Sequence, residues 1–213
     1  MNISNLKNRF DGDKLAILAL GPSLGNFNPD LYHDATIMGC NEFYRTGVKI
    51  DLDIFAMVNL VDNIVSIEKK NDYDIGIFAA PTQTAAMLEQ KLGEDKYCWA
   101  WRDRELQQYL IVDEKTYSEG ASVGIHMIAL GLMMGFDEID VFGIDMTPTQ
   151  SSHFGFDKGG TAYVANVFGK YWNKMVADME HLAEYAKQKE KRINYYGENP
   201  VFKEIFQCLM YVG

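Results

Sequence analysis

Four short apolar runs, each closed by glycine, asparagine or proline, restrict this chain to a narrow set of folds. Lys14–Leu20, Thr36–Cys40, Ile54–Val58 and Ile75–Ala80 are nearly continuous in apolar side chains rather than alternating. Continuous runs mark strands buried on both faces, the condition of a parallel sheet covered by helices. Segments of helical length fit between and after them: Val61–Lys70, Gln83–Leu92, and the small-residue stretch Gly120–Phe136 with Ala121, Gly124, Ala129 and Gly131. A further strand, Glu138–Phe142, follows. Tyr171–Lys191 then carries Met175, Met179, Leu182 and Ala186 at helical spacing. Arg192–Tyr196 reads as a last strand, and Pro200–Gln207 as a last helix with Asn199 as N-cap and proline at the first helical position. With 213 residues and no low-complexity linker, the expectation is one three-layer α/β domain, residues 1–213, with a mostly parallel sheet. Tyr97–Ser118 and Thr147–Gly160 lack clear periodicity and read as an insertion and a loop, both candidate lids.

Two of the strand ends point to a ligand. Lys14–Leu20 runs into Gly21-Pro22-Ser23-Leu24, and Glu138–Phe142 runs into Gly143-Ile144-Asp145. In open α/β sheets ligands bind outside the carboxyl ends of strands. Glycine permits close backbone approach to a phosphate or ribose, and an aspartate accepts hydrogen bonds from ribose hydroxyls. Asn41 and Asn59 stand at two more strand ends, where amides suit sugar and phosphate bonding, although asparagine also favours turns. The combination suggests a nucleotide site. His153, in Ser151-Ser152-His153-Phe154, lies eight positions after Asp145 and is the histidine best placed for a phosphate or a proton transfer. His126 reads as a buried core histidine, His181 as a residue of the amphipathic helix, and His33 as a loop residue.

Other patterns carry less. Gly21-Pro22-Ser23-Leu24-Gly25 matches the Gly-x-Ser-x-Gly nucleophile elbow, but Asn26-Phe27-Asn28-Pro29 supplies no helix directly after it. Asp51-Leu52-Asp53 precedes its apolar run instead of ending it, so a solvated strand entry is the better reading than a metal motif. No histidine or acidic cluster has metal-binding spacing, and no metal is expected at the site. Cys40, Cys98 and Cys208 are widely spaced and form neither a metal pattern nor a disulfide framework. A net charge of −10 repels a nucleic-acid backbone, which argues against that class of partner. There is no signal-peptide pattern at Met1-Asn2-Ile3-Ser4 and no apolar stretch long enough to span a bilayer, so a cytoplasmic protein is expected. The oligomeric state is not legible.

Gly21-Pro22-Ser23-Leu24, Cys40-Asn41-Glu42-Phe43-Tyr44, Ser122-Val123-Gly124, Gly143-Ile144-Asp145 and Ser151-Ser152-His153 occur in one order. In this the chain resembles the bacterial sialyltransferases of glycosyltransferase family 42, over roughly Leu15–Ser152. The resemblance implies a Rossmann-like, GT-A-variant fold, a CMP-linked sugar donor and a glycan or other hydroxyl acceptor. It implies that Gly21, Pro22 and Ser23 lie near the nucleotide phosphate and that Asn41 and Asn59 contact the donor. Ser122 and Gly124 would pack on the nucleotide, and Gly143 and Asp145 would hold the ribose. Thr147, Tyr163 and Tyr171 become candidate phosphate contacts, and His153 a catalytic residue that stabilises the leaving phosphate.

The chain departs from the family pattern at Ala19-Leu20, where Gly-Asn is usual, at Val123, where serine is usual, and at Thr147 and His153, which replace tyrosines. The family's catalytic histidine stands shortly before the last long helix, and Tyr163–Asn173 contains none. A looser resemblance, to 6-hydroxymethylpterin pyrophosphokinases and motility-associated glycosyltransferase-like proteins, would imply a magnesium-dependent phosphate transferase. A nucleotide-binding module without chemistry is the third reading.

Overall fold

The apolar runs build the sheet in a computed structural model of the chain, which describes residues 1–101, 105–118, 122–146, 154–155 and 160–207, with 160–168 in backbone only. Strands β1 (Lys14–Leu18), β2 (Thr36–Cys40), β3 (Leu52–Val58), β4 (Tyr73–Ala80) and β5 (Tyr97–Ala100) are laid down side by side. Helices α1 (Val61–Glu68) and α2 (Ala85–Leu92) form the β3-to-β4 and β4-to-β5 crossovers. A short hairpin of β6 (Ile111–Val112) and β7 (Lys115–Thr116) leads to α3 (Val123–Met134), which carries the chain back across the sheet. Strand β8 (Glu138–Phe142) then pairs with the far side of β1. Helix α4 (Gly160–Gln188), β9 (Arg192–Tyr195) and α5 (Pro200–Gln207) complete the chain. The seven-stranded order is β5-β4-β3-β2-β1-β8-β9, and all its pairings are parallel.

This is the expected three-layer α/β domain. Crossovers between parallel strands are right-handed, so reversing the direction of strand addition at β1 sends α3 and α4 to the face opposite α1 and α2. Helix α3 packs on β1, β2, β3 and β8 and against α4. It is therefore apolar all round, and Gly124 to Met134 are buried without a break. Gly131 permits the close approach: a methyl there would stand 2.7 Å from Leu15 Cδ2.

Three expectations change. Tyr97–Ala100 is the edge strand β5, not the start of an irregular insertion; four residues beside Lys96 give too short a run to read as a strand. Strand β3 begins at Leu52, so Asp53 lies inside it, and its Oδ2 accepts the Ile37 N–H at 2.7 Å. Asp53 thus joins β3 to the start of β2. Helix α4 begins at Gly160, eleven positions before Tyr171, because Gly169 and the β-branched Val164 and Val167 blur its helical signal. Cys40 is buried and Cys98 half-buried, the Cys98 thiol pushed up to about 11 by burial; Cys208 lies outside the described residues. Among the described residues no helix is long and apolar enough to cross a membrane.

The 110–118 strap is pinned to α4 at both ends. The Asp178 carboxylate is 1% exposed; its Oδ1 accepts the backbone N–H of Ser118 at 3.2 Å and the Ser118 hydroxyl. Its other oxygen has no hydrogen-bond partner. One turn later, His181 Nε2 meets Leu110 O at 3.0 Å.

Burial pushes the Asp178 carboxyl above its ordinary range, against the opposing effects of the Ser118 bonds and of the charges on Lys174 and His181. The folded chain holds this proton more tightly than the unfolded chain. Asp178 therefore contributes most at a pH below the ordinary carboxylate range, and the contribution falls as pH rises through its folded pKa. Asp178→Asn keeps the shape and an acceptor for Ser118. In urea unfolding between about pH 4 and pH 8, its stability is expected to decline less with rising pH than the parent's and to exceed it at neutral pH. Parallel stability curves would show that Asp178 carries no such coupling.

Candidate active site at the carboxyl edge between β1 and β8

Strand order reverses at β1, and the carboxyl edge at such a reversal is the usual ligand position in open α/β sheets. Here the turns leaving β1 and β8 are locked together. Ala19 N–H donates to Phe142 O at 2.9 Å and Gly21 N–H to Gly143 O at 2.7 Å. In return Gly143 N–H donates to Ser23 Oγ at 2.9 Å, and Ser23 N–H to Asp145 Oδ2 at 2.7 Å. The two glycines make room for this interlock. A methyl on Gly21 would stand 2.4 Å from Asp145 Oδ2 and 2.6 Å from Gly143 O. Gly143 has a φ of +74°, and a methyl there would reach 2.2 Å from Ala19 O. The absent side chains admit the neighbouring turn, where the sequence reading assigned that space to a ligand.

Ser23 is buried in a 3₁₀ turn that Pro22 opens, with its hydroxyl accepting from Gly143. It is not the exposed serine of a nucleophile elbow. Asp145 is 3% exposed, and both its oxygens accept backbone N–H groups, Oδ2 from Ser23 and Oδ1 from Glu198 at 2.8 Å. Its first task is to clamp the turns. Ser122 is the N-cap of α3, its hydroxyl accepting Gly124 N–H at 3.3 Å, and Gly124 packs on Ile144, where a methyl would stand 2.8 Å from Cδ1. The start of α3 thereby joins the Gly143-Ile144-Asp145 turn.

The two asparagines differ. Asn59 Oδ1 accepts Leu60 N–H at 2.7 Å and Asn63 Nδ2 at 3.0 Å, so its side chain organises the entry to α1. Asn41 sits in the left-handed region at φ +51°, and its Oδ1 is buried with no hydrogen-bond partner. Buried amide oxygens are nearly always bonded, so Asn41 is a polar group short of a partner among the described residues of this edge. Tyr171 is on the surface of α4 with Lys170 Nζ 5.1 Å from its ring centroid, roughly 16 Å along the helix from Gly160. Thr147, His153 and the side chain of Tyr163 lie outside the described residues. Among the described residues no group of three His, Cys, Asp or Glu could hold a metal ion.

A third turn, overlooked in the sequence, completes the arrangement. Tyr195 Oη donates to Ile144 O at 2.5 Å, Glu198 N–H to Asp145 Oδ1, and Asn199 Nδ2 to Met146 O at 3.2 Å. The signal was present: Tyr195-Tyr196-Gly197 is another strand end closed by glycine.

No protein-family model matches the chain, and no curated protein matches it. Solved structures do. The sialyltransferase CstII from Campylobacter jejuni in complex with the substrate analogue CMP-3FNeuAc is similar at 16% identity, with a TM-score of 0.58 over 91% of this chain and 85% of that one. CST-II in complex with trisaccharide acceptor and CMP is similar at 15% identity, with a TM-score of 0.56 and the same coverages of 91% and 85%. The monofunctional alpha-2,3-sialyltransferase Cst-I from Campylobacter jejuni is similar at 17% identity, with a TM-score of 0.59 over 92% of this chain and 79% of that one. At these identities the similarity establishes the fold.

Asp145→Ala would leave the Ser23 and Glu198 N–H groups without their acceptor. At about 1–3 kcal/mol for the buried Ser23 N–H and less for the part-buried Glu198 N–H, a loss of roughly 1–5 kcal/mol in urea unfolding is expected. A variant within about 0.5 kcal/mol of the parent, the ordinary scatter of surface substitutions, would show that Asp145 is not the clamp.

Proposed function

We propose that the chain is a nucleotide-sugar-dependent glycosyltransferase of sialyltransferase type, using a CMP-linked donor. The observation that carries this is Asn41: a buried amide oxygen without a partner at the carboxyl end of β2, beside the switch point, suits a ligand N–H such as a nucleobase amine. The similarity to sialyltransferases solved with CMP-3FNeuAc and with CMP and a trisaccharide acceptor supports cytidine as the base. In the proposed reaction an acceptor hydroxyl, of a glycan or another compound, forms a bond to the anomeric carbon while the bond from that carbon to the phosphate oxygen breaks. CMP leaves, and the hydroxyl proton passes to a base. The protein positions the pair and stabilises the charge that develops on the leaving phosphate.

The Gly21–Ser23 turn and the start of α3 at Ser122 and Gly124 form the proposed phosphate and nucleoside wall, with Gly143 and Asp145 beneath the ribose and Asn59 behind the donor. Thr147 and Tyr163 remain proposed phosphate contacts, and 147–160 the proposed cover. His153 is the proposed catalytic residue. It follows Asp145 by eight positions, where the family resemblance puts a phosphate-contacting tyrosine, and its proposed role is to stabilise the leaving phosphate. Thiols at Cys40 and Cys98 suit a reducing compartment such as the cytoplasm.

Thermal shift with CMP, CDP, CMP-sialic acid, and ATP with magnesium separates the readings, because whatever binds the folded state raises its melting point. CMP and CMP-sialic acid are expected to stabilise the chain, with CMP released on turnover. A response to ATP with magnesium alone would favour the pyrophosphokinase reading, and binding without turnover an inert module. His153→Ala is expected to lower turnover by roughly tenfold to a thousandfold, and His153→Tyr to restore part of it if the role is a hydrogen bond to phosphate. Turnover of His153→Ala at the parent rate would remove His153 from the reaction.

A further inference from the structure

We infer that Tyr195 is a positioning residue for the nucleotide turn, holding the exit of β8 through its hydroxyl bond to Ile144 O. The inference rests on the proposed nucleotide site for its functional half and on the geometry alone for its structural half.

Past Phe142 the chain leaves the sheet, with Gly143 at φ +74° and Met146 at φ +47°. Outside the ladder, each polar group of this buried turn must find its own partner. Those on the β1 side are met by Gly21 and Ser23. Those on the other side are met, residue by residue, from 195–199: Ile144 O by Tyr195 Oη, the Asp145 carboxylate by Glu198 N–H, and Met146 O by Asn199 Nδ2. The turn is thus gripped from two sides. Asp145 reaches the Gly21–Ser23 turn only while Ile144 and Met146 are held on either side of it.

Tyr195 is built for this task. Its ring centroid lies 6.0 Å from that of Phe202 and 5.8 Å from that of Phe206, so α5 fixes the ring. Trp172 of α4 stacks on Phe202 at 5.5 Å, which braces α5 in turn. Gly197 passes directly over the hydroxyl; a methyl there would stand 2.2 Å from Tyr195 Oη. Burial and the nearby Asp145 charge raise the phenol's pKa, which keeps it a neutral O–H donor. Ile144 is itself 1% exposed, so losing the hydroxyl strands a carbonyl that sits one residue before the Asp145 clamp.

The test uses the full chain and Tyr195→Phe. Tyr73→Phe is the control: Tyr73 is also a half-buried tyrosine with one side-chain bond, to Glu68, but it lies on β4, at the far side of the sheet from the β8 turn. Hydrogen exchange without nucleotide is expected to be at least about tenfold faster at the Ser23 and Gly143 amides in Tyr195→Phe, and unchanged there in Tyr73→Phe. Calorimetry with CMP is expected to show a Kd weakened about 5- to 50-fold, the range set by losing one buried bond, again with no change in Tyr73→Phe. Asn199→Asp keeps an acceptor for capping α5 and sets a carboxylate oxygen against Met146 O in place of the donor, so it should loosen the same turn from its other end and reproduce the exchange result if Tyr195→Phe folds poorly. Unaltered exchange at Ser23 and Gly143 in both variants would overturn the positioning role. A parent chain that binds no CMP would overturn the nucleotide reading, and exchange would still decide whether Tyr195 holds the turn.

Discussion

A buried carboxylate that spends both oxygens on backbone amides is the interaction on which the rest of this edge depends. Asp145 accepts from Ser23 on one side and from Glu198 on the other. Three strand ends, those of β1, β8 and β9, therefore meet at one side chain. An ionised carboxylate in such a place is costly unless its acceptors are filled, and hydrogen bonds to a charged group are the stronger kind. The glycines at 21 and 143 follow from it: any larger residue would push the turns away from the carboxylate or from each other. Turns locked this way hold their shape without a ligand, and a site built on them would spend less on ordering the protein when it binds.

Much of the fold was legible because parallel strands announce themselves. Thr36–Cys40 and Glu138–Phe142 match β2 and β8 at both ends, since each is a short run that stops abruptly at a polar residue or glycine. Pro200–Gln207 was equally clear, with Asn199 Oδ1 accepting from Val201 N–H at 3.0 Å as an N-cap should. What was not legible has specific causes. Four residues of β5 are too few to show a period. Helix α4 hides its first turns behind Gly169. The mode of action of Asp145 depends on which way a side chain turns after its strand ends, and spacing along the chain does not encode that.

Asn41 and Asn59 make the same point at the site. Each follows an apolar strand, and the sequence gives no reason to rank them. In three dimensions Asn59 is absorbed by the start of α1, whereas Asn41 holds an amide oxygen in reserve. Local context decides: a helix begins two residues after Asn59 and brings the Leu60 N–H and the Asn63 amide to its oxygen, while only a short 3₁₀ turn at Phe43–Arg45 follows Asn41.

Asn199 serves two structures at once, starting α5 with its oxygen and holding Met146 with its nitrogen. The end of the described chain is thereby part of the same cooperative unit as the turn that leaves β8. Separating α5 from the body costs the contacts that shape the β8 turn, so the helix has little freedom to fray on its own. Proteases that attack through local opening would find this segment protected for as long as the β8 turn is held. Conversely, cutting the chain before Pro200 would act on that turn as directly as an exchange of one of its own residues.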